Sequence, residues 1–267
     1  MGTGTTAGCY TIVTYSRHYK NIQLSVETVI VKDLQLAEYE AAWKYQESLM
    51  QGNLQTKLLS AQQGTASGTQ HYFLLCEHPN VFTLGKNGNA AHLLISKKEQ
   101  EEKQVAFFHI NRGGDITFHG PGQLVGYPIL DLEKFSTDIG LYLRNLEEVI
   151  IQTLKEFGIS AGRSQGETGV WLDAGIPGKE RKICAIGIRC SRWITMHGFA
   201  LNVNTDLRYF DMIIPCGIQH KKVTSMEAEL GSAIDMEEVK TAVCRNFKRV
   251  FECEMVTAGI TEAVDAV

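Results

Sequence analysis

The sequence predicts an α/β (α+β) fold, in which a mixed β-sheet is flanked by helices. Three segments have helical periodicity, and two groups of short apolar, β-branched and aromatic runs, typical of strands, lie between them. Because strands and helices do not alternate one by one, this order favours a mixed sheet over repeated strand-helix-strand units. The 267 residues, 44% of them hydrophobic and 21% charged, suit a folded protein with a sizeable core.

The first predicted helix spans residues 33–50, with Asp33 as its cap. Its apolar positions at helical spacing are Leu34, Ala37, Ala41, Tyr45 and Leu49. A second helix is predicted over residues 136–157, where a broad apolar stripe ends at Gly158. A third is predicted over residues 236–251 and would close the core.

The predicted strands are short and lie on either side of the second helix. They cover residues 71–76, 105–110, 123–130, 169–172, 182–189 and 193–203. The polar turn at residues 190–192 indicates a hairpin between the last two of these strands. We expect a single domain over residues 26–267, preceded by an extension of uncertain role at residues 1–25.

The charge and the cysteines limit the kinds of partner and compartment. With 26 Lys and Arg against 30 Asp and Glu, the net charge of −4 gives no general electrostatic reason to bind nucleic acid or an anionic membrane. We therefore expect neither partner. Seven cysteines without short repeated spacings indicate free thiols in a reducing compartment. We expect the cytoplasm, with a mitochondrial or plastid matrix as the alternative.

Residues 111–123 form the most unusual segment, because they combine four glycines and a proline with Arg112, Thr117 and His119. So many glycines after a strand let the backbone turn sharply and let another group approach closely. The segment is therefore a candidate binding loop. The alternative is a long turn in which Arg112 pairs with a carboxylate such as that of Asp115.

Lys182 opens an apolar run over residues 182–189 that is typical of a strand buried on both faces. Burial would favour the neutral amine and make Lys182 a candidate proton acceptor. The alternative is a side chain that reaches water from the strand end. Cys184 follows two positions later and would share the same face, where we interpret it as packing.

Cys216 lies between Pro215 and Gly217, in a loop and not in a core strand. A constrained turn with exposed amides is where a thiolate can form and an oxyanion can find donors, although many free cysteines are simply small buried side chains. His197, which precedes a glycine after a strand, would either line a cleft or bind a core carbonyl. Neither residue lies in a spacing typical of zinc ligands.

Three separated segments together resemble one family. Residues 112–123, residues 182–189 with 197–202, and residues 215–218 are similar to the signatures of the octanoyltransferases, the lipoate-protein ligase B family of protein lipoylation. The similarity also includes residues 76–79, 83–85 and 223–225, and so covers most of the chain. The resemblance implies a fold shared with the catalytic domains of lipoate and biotin protein ligases.

The resemblance also implies a reaction and its partners. Such enzymes take an octanoyl or lipoyl group from acyl carrier protein and place it on one lysine of the lipoyl domains of 2-oxoacid dehydrogenases or of glycine-cleavage H protein. Cys216 would then carry the acyl thioester, and Lys182 would lower the pKa of its thiol. No metal and no cofactor is implied. The acyl-binding residues would be Arg112, Gly113, Gly114, Asp115, Ile116, Thr117, Phe118, His119, Ala185, Ile186, Gly187, Gly198, Phe199 and Ala200, with His197 in a supporting role.

Three other functions remain open at this level. An ATP-dependent lipoate or biotin protein ligase of the same fold would not need Cys216, a non-catalytic binder of lipoyl domains would form no acyl adduct, and a cysteine hydrolase is a more distant alternative. Because acyl carrier protein is acidic, we also expect a local basic patch on this chain. Its candidate members are Lys179, Arg181, Lys221 and Lys222.

Overall fold

The structure, a computed structural model, describes residues 26–214 and 222–258 of the chain. The helices are α1 (Tyr39–Gln63), α2 (Lys97–Glu102), α3 (Ile139–Glu156), α4 (Met226–Leu230) and α5 (Met236–Val250). The strands are β1 (Thr28–Leu36), β2 (His71–Glu77), β3 (Val81–Leu84), β4 (Ala106–His109), β5 (Ile116–His119), β6 (Gln123–Ile129), β7 (Gly162–Ser164), β8 (Glu167–Leu172), β9 (Arg181–Ser191), β10 (Ile194–Asn202), β11 (Lys222–Val223) and β12 (Glu254–Thr257).

The strands form a large mixed sheet and a small one. The large sheet has the order β12-β1-β2-β6-β10-β9-β8-β7, and β11 pairs with β9. Its β1 runs parallel to both β12 and β2, whereas the strands from β2 through β6, β10, β9 and β8 to β7 pair antiparallel. The small sheet has the order β4-β3-β5. This mixed sheet with flanking helices confirms the predicted fold class.

Helices cover both faces of the large sheet because its central strands are apolar on both sides. In β2, Phe73 and Leu75 point into the core beneath α3 and α5, and Leu74 points to the opposite face beneath α1. The strong apolar periodicity of α3 therefore meets the sheet directly, at Leu146, Val149, Ile150 and Leu154. The central strands are therefore packed on both faces, and the site lies on these strands.

The predicted elements after residue 70 are confirmed to within a few residues, but the first predicted helix is wrong in its start, end and buried stripe. Residues 28–36 are a strand, in which Val29 to Asp33 pair with His71 to Leu75 of β2. The run of β-branched residues that begins this strand outweighs the helical spacing that follows it. Helix α1 begins only at Tyr39 and continues to Gln63. Its buried residues are Tyr39, Ala42, Gln46, Met50 and Asn53.

Within residues 26–214 and 222–258, no helix combines the length and the apolar character that crossing a bilayer requires. The described cysteines are all free thiols, namely Cys76, Cys184, Cys190, Cys244 and Cys253. The predicted extension at residues 1–25 lies outside the described residues.

Candidate active site

A cavity of about 380 Å³ lies between the central strands of the large sheet and the glycine-rich segment that leads into β5. Most of the predicted site residues, whether acyl-binding, catalytic or supporting, line it. They are Arg112, Gly113, Gly114, Asp115, Ile116, Thr117, His119, Lys182, Ala185, Ile186, Gly187, His197, Gly198, Phe199 and Ala200. Three segments that are far apart in the sequence thus meet around one space.

One predicted site residue within the described part of the chain, Phe118, does not line this cavity. Phe118 is 1% exposed and points away from the cavity, where its ring stacks on that of Tyr209 at a centroid distance of 4.6 Å. Alternation along β5 explains this placement, because Phe118 lies between two residues that face the cavity. Cys216 lies outside the described residues. The chain leaves the described region at Ile214, whose N–H donates to His92 O, and returns at β11 beside Lys182.

The glycine-rich segment is fixed to the large sheet by its own backbone. Gly113 N donates to Ile188 O at 2.9 Å. A side chain at Gly187 would place its Cβ 2.9 Å from Gly113 O, so a glycine is needed for the two chains to approach this closely. Arg112, only 8% exposed, donates to Thr83 O at 2.8 Å and to Thr83 Oγ1 at 2.9 Å. Asp115 instead pairs with His92 at 2.5 Å.

Lys182 is the first residue along β9 that lines the cavity, and its side chain contacts an aromatic ring. Its Nζ is 4.5 Å from the centroid of the Trp171 ring, on the neighbouring strand. The face of an indole ring attracts an ammonium group. Gly169 (φ +123) lies beside the Lys182 stem, and a Cβ there would lie 2.7 Å from Cys184 O, so the close approach of these two strands needs a glycine. Glu147, fully buried, accepts a hydrogen bond from Gly169 N and fixes this backbone.

Cys184 is a packing residue, as predicted, but the reason differs from the expected one. The register between β8 and β9 shifts at Ile183, so that Val170 opposes Cys184 and Trp171 opposes Lys182. This irregularity places Ile183 and Cys184 in the main core, whereas Lys182 faces the cavity. Burial raises the pKa of the Cys184 thiol far above its ordinary value, and the thiol stays protonated.

The histidines around the cavity are neutral because they are buried. Burial, together with the charges of Arg112 and Arg189, lowers the pKa of His197 to about 3. Burial also holds the pKa of His119 well below its usual range. His197 has a left-handed backbone (φ 61), and its Nε2 bonds to Asn111 Oδ1 at 3.0 Å. It therefore lines the cavity as a fixed polar group and not as a cation.

The other lining residues were not singled out from the sequence. They are Tyr39, Gln123, Val125, Tyr127, Leu143, Glu167, Thr168, Ile188, Asn202, Phe210 and Val223. Tyr127 donates to His78 Nε2 at 2.7 Å behind the cavity wall, and His78 Nδ1 bonds to Ala37 O at 2.7 Å. One sequence signal could have found part of this lining, namely a polar residue at the end of a mostly apolar strand. Gln123 begins β6 in this way, and Asn202 ends β10.

We expect the buried histidines to make the fold sensitive to acid. Burial lowers the pKa of His78 to about 4, so between about pH 6.5 and 4 the unfolded chain binds a proton that the folded chain does not. Unfolding therefore takes up protons, and stability falls as the pH falls, by up to about 3 kcal/mol for this residue over that window.

The variant His78→Gln tests this expectation by urea unfolding at several pH values. It should reduce the slope of stability against pH below 6.5 by about 1.4 kcal/mol per pH unit. The exposed His109→Gln is the matched control and should leave the slope unchanged. An unchanged slope in His78→Gln would contradict the assignment of His78 as a buried neutral base.

Of the four residues predicted to form a basic patch, two are exposed in the described structure and a third is paired with carboxylates. Arg181 is in contact with two carboxylates, Glu229 at 2.6 and 2.7 Å and Asp173, so its charge is compensated within the fold. Arg181 is thus a poor member of a docking patch. Lys179 and Lys222 are exposed, and Lys221 lies outside the described residues.

Comparisons with known proteins show the family to which the chain belongs. Residues 38–248 match the family model described as the lipoyl protein ligase A/B catalytic domain. An octanoyltransferase from Christiangramia forsetii is 55% identical over 85% of this chain and 97% of the relative. An octanoyltransferase from Cytophaga hutchinsonii is 51% identical over 85% of this chain and 93% of the relative.

Solved structures show the same fold at low sequence identity. A lipoate-protein ligase A bound with ATP has a TM-score of 0.65 and 14% identity, covering 89% of this chain and 90% of its own. A putative lipoate protein ligase from T. acidophilum has a TM-score of 0.62 and 15% identity, covering 88% and 90%. The fold is that of the lipoyl protein ligase A/B catalytic domain. Within the class of proteins that share this domain, the chain belongs to the octanoyltransferase family of acyltransferases.

Proposed function

We propose that this protein transfers an octanoyl group from the thioester of acyl carrier protein to the ε-amine of a lysine in a lipoyl domain. The observation that supports this proposal is the lining of the cavity. Lys182, the glycine-rich segment and apolar residues of β9 and β10 all face the same space. The high identity to octanoyltransferases, against 14–16% to the solved lipoate ligases, supports acyl transfer over ATP-dependent ligation.

The proposed first half-reaction forms an acyl-enzyme. The Cys216 thiolate attacks the thioester carbonyl, a Cys216–carbonyl bond forms, and the bond to the carrier's sulfur breaks. Lys182, as an ammonium, stabilises the thiolate before attack and donates its proton to the leaving thiolate. The Trp171 ring beneath Nζ supports this charged resting form.

The second half-reaction returns the enzyme to its starting state. The neutral amine of the acceptor lysine attacks the acyl-enzyme, an amide bond forms, and the Cys216 thiolate leaves. Lys182, now a neutral amine, accepts the proton that the attacking amine loses, so the ammonium–thiolate pair is restored. One pair of residues thereby serves both steps, and the scheme requires ping-pong kinetics.

Preference for an acyl chain is supported by the walls of the cavity. Ala185, Ile186, Phe199 and Ala200 give an apolar surface on two adjacent strands, and Gly198 carries no side chain to fill the space. An apolar chain gains free energy from leaving water for such walls, by about 25 cal/mol per Å² buried. The acceptors we propose are lipoyl domains of 2-oxoacid dehydrogenases and glycine-cleavage H protein, in the cytoplasm.

The test is transfer to a purified lipoyl domain, followed by intact mass of the domain. With octanoyl-acyl carrier protein and no ATP, we expect the mass of one octanoyl group to be added to the domain. A lipoyl domain whose acceptor lysine is replaced by arginine is the control and should stay unmodified. Modification only with free octanoate and ATP would replace the proposal by ATP-dependent ligation.

A further inference from the structure

A continuous chain of buried hydrogen bonds runs from Arg112 to the main chain of Lys182. Arg112 bonds to Thr83 Oγ1 at 2.9 Å, Thr83 Oγ1 to His119 Nε2 at 3.3 Å, and His119 Nδ1 to Gln123 Oε1 at 2.7 Å. Gln123 Nε2 donates to Asn202 Oδ1 at 2.9 Å. The last two bonds are Asn202 Nδ2 to Thr224 O and Thr224 N to Lys182 O, both at 2.9 Å. We call these residues the relay.

Two backbone carbonyls fix the direction of every bond in the relay. Gln123 Nε2 also donates to Phe118 O at 3.1 Å, and Asn202 Nδ2 donates to Thr224 O. Because a carbonyl only accepts, neither amide can be turned over. Gln123 Oε1 must then accept from His119 Nδ1–H, which leaves His119 Nε2 to accept from the Thr83 hydroxyl.

All donors therefore point the same way, from the guanidinium of Arg112 toward the carbonyl of Lys182. The arrangement needs a neutral His119 with its proton on Nδ1, and burial keeps it neutral. The bonds from Arg112 to Thr224 O pass through side chains and point in one direction, so they polarise one another. The Thr224 N–H belongs to the preceding peptide group, so its bond to Lys182 O depends on the others only through the position of the Thr224 backbone. The relay crosses both sheets and is almost fully buried at Gln123, Asn202 and Thr224.

We propose that Asn202 is a positioning residue, which acts through Thr224 to hold the Val223–Thr224 main chain against Lys182. Val223 pairs with Lys182 in the parallel β11–β9 ladder and lines the cavity. The Asn202 side chain thus links Gln123, which lines the cavity, to Thr224, whose N–H donates to the backbone carbonyl of Lys182. The inference rests on the proposed function, in which Lys182 moves a proton.

Asn202→Asp tests the proposal because it changes one donor into an acceptor without changing shape. The ionised carboxylate still accepts from Gln123 but repels Thr224 O, whereas the protonated acid donates to Thr224 O and restores the relay. Burial favours the protonated form, so the relay should reform as the pH falls. The charged and titratable groups around it are His119 from β5, Lys182 and Arg181 from β9, Glu229 from α4 and Glu77 from β2.

Asn246→Asp is the matched control. Asn246 is also fully buried, donates through Nδ2 to the backbone carbonyl of Ala242 and accepts at Oδ1 from Arg249. It lies between α3 and α5, and none of its bonded neighbours lines the cavity. Burial of a carboxyl group should lower the stability of both variants. If this loss of stability alone lowered the activity, Asn246→Asp would be affected as Asn202→Asp is.

We expect kcat of Asn202→Asp to be roughly 100-fold below wild type at pH 8, because a small displacement of a catalytic group has an effect of this size. The ratio of wild-type kcat to that of Asn202→Asp should fall by about tenfold from pH 8 to pH 5.5, because protonation of the new carboxyl group restores the hydrogen bond to Thr224 O. Asn202→Leu should show a deficit that does not change with pH. Asn246→Asp should keep a ratio to wild type near one at every pH, whatever its melting temperature.

Hydrogen exchange of the Thr224 amide gives a second measurement that does not depend on activity. Exchange should be faster in Asn202→Leu and, at pH 8 only, in Asn202→Asp, after correction for the intrinsic rate. A pH-independent deficit in Asn202→Asp, or unchanged Thr224 exchange, would overturn the proposal. If wild type transfers no octanoyl group while Thr224 exchange behaves as expected, the proposed function fails and the relay remains.

Discussion

Replacement of Cys216 by alanine should leave an enzyme that forms no octanoyl adduct and transfers octanoyl groups at least roughly 10⁴-fold more slowly than wild type. Loss of a covalent nucleophile removes the pathway itself, so the effect exceeds that of losing any supporting contact. Intact mass after incubation with octanoyl-acyl carrier protein measures the adduct, and initial rates with a lipoyl domain measure transfer.

Cys244→Ala is the control for this experiment. Cys244 lies on α5, away from the cavity, and burial raises the pKa of its thiol to about 11, so it remains a protonated thiol near neutral pH. Its adduct and transfer rate should equal those of wild type. An adduct that persists in Cys216→Ala would mean that another thiol carries the acyl group.

Replacement of Lys182 by methionine should lower kcat by roughly 10³-fold, because general acid–base catalysis by one positioned group contributes about 10² to 10⁴. Methionine keeps the length of the stem that packs beside Gly169 but has neither charge nor proton. The pH dependence of Cys216 alkylation by iodoacetamide should then shift toward that of an ordinary thiol, near pH 8.5. Alkylation rates and single-turnover kinetics measure the two effects.

Lys182→Arg separates the two roles proposed for this residue. Arginine keeps a cation near Trp171 but does not give up its proton, so the alkylation profile should stay close to wild type while acyl transfer remains slow. Lys155→Met, at an exposed position of α3, controls for loss of a lysine and should behave as wild type. Full transfer activity in Lys182→Arg would contradict proton transfer by Lys182.

The elements that sequence reasoning found are those with a strong local signal. The apolar stripe of α3 has a helical period, and the turn at residues 190–192 predicts the β9–β10 hairpin, so both are predictable from neighbours in the chain. Strand β1 was missed because its pairing with β2 joins residues about forty positions apart, and that pairing, with a shift of register between Asp33 and Leu36, continues the strand to Leu36. Propensity alone cannot supply such a contact.

The site residues also fall into two groups, those with a signal in the local sequence and those whose place depends on distant parts of the fold. Residues 112–117, 185–187 and 198–200 were found because they lie in the segments that resemble the octanoyltransferase signatures, and the fold brings them to one cavity. Tyr39 was missed because its role depends on where α1 crosses the sheet, and Phe118 was assigned to the cavity because a motif does not show which face of a strand a residue occupies. The irregular register at Ile183 likewise has no signature in the sequence.

Acyl transfer through Cys216 is tested by the intact mass of the wild-type protein after brief incubation with octanoyl-acyl carrier protein, without ATP or acceptor. We expect one added octanoyl group, removed by neutral hydroxylamine as a thioester is, and found on the peptide that contains Cys216. The adduct should disappear when a lipoyl domain is added, as the group moves to the acceptor lysine. An unmodified mass, with the carrier protein shown to be loaded, would mean that the enzyme does not form an acyl thioester.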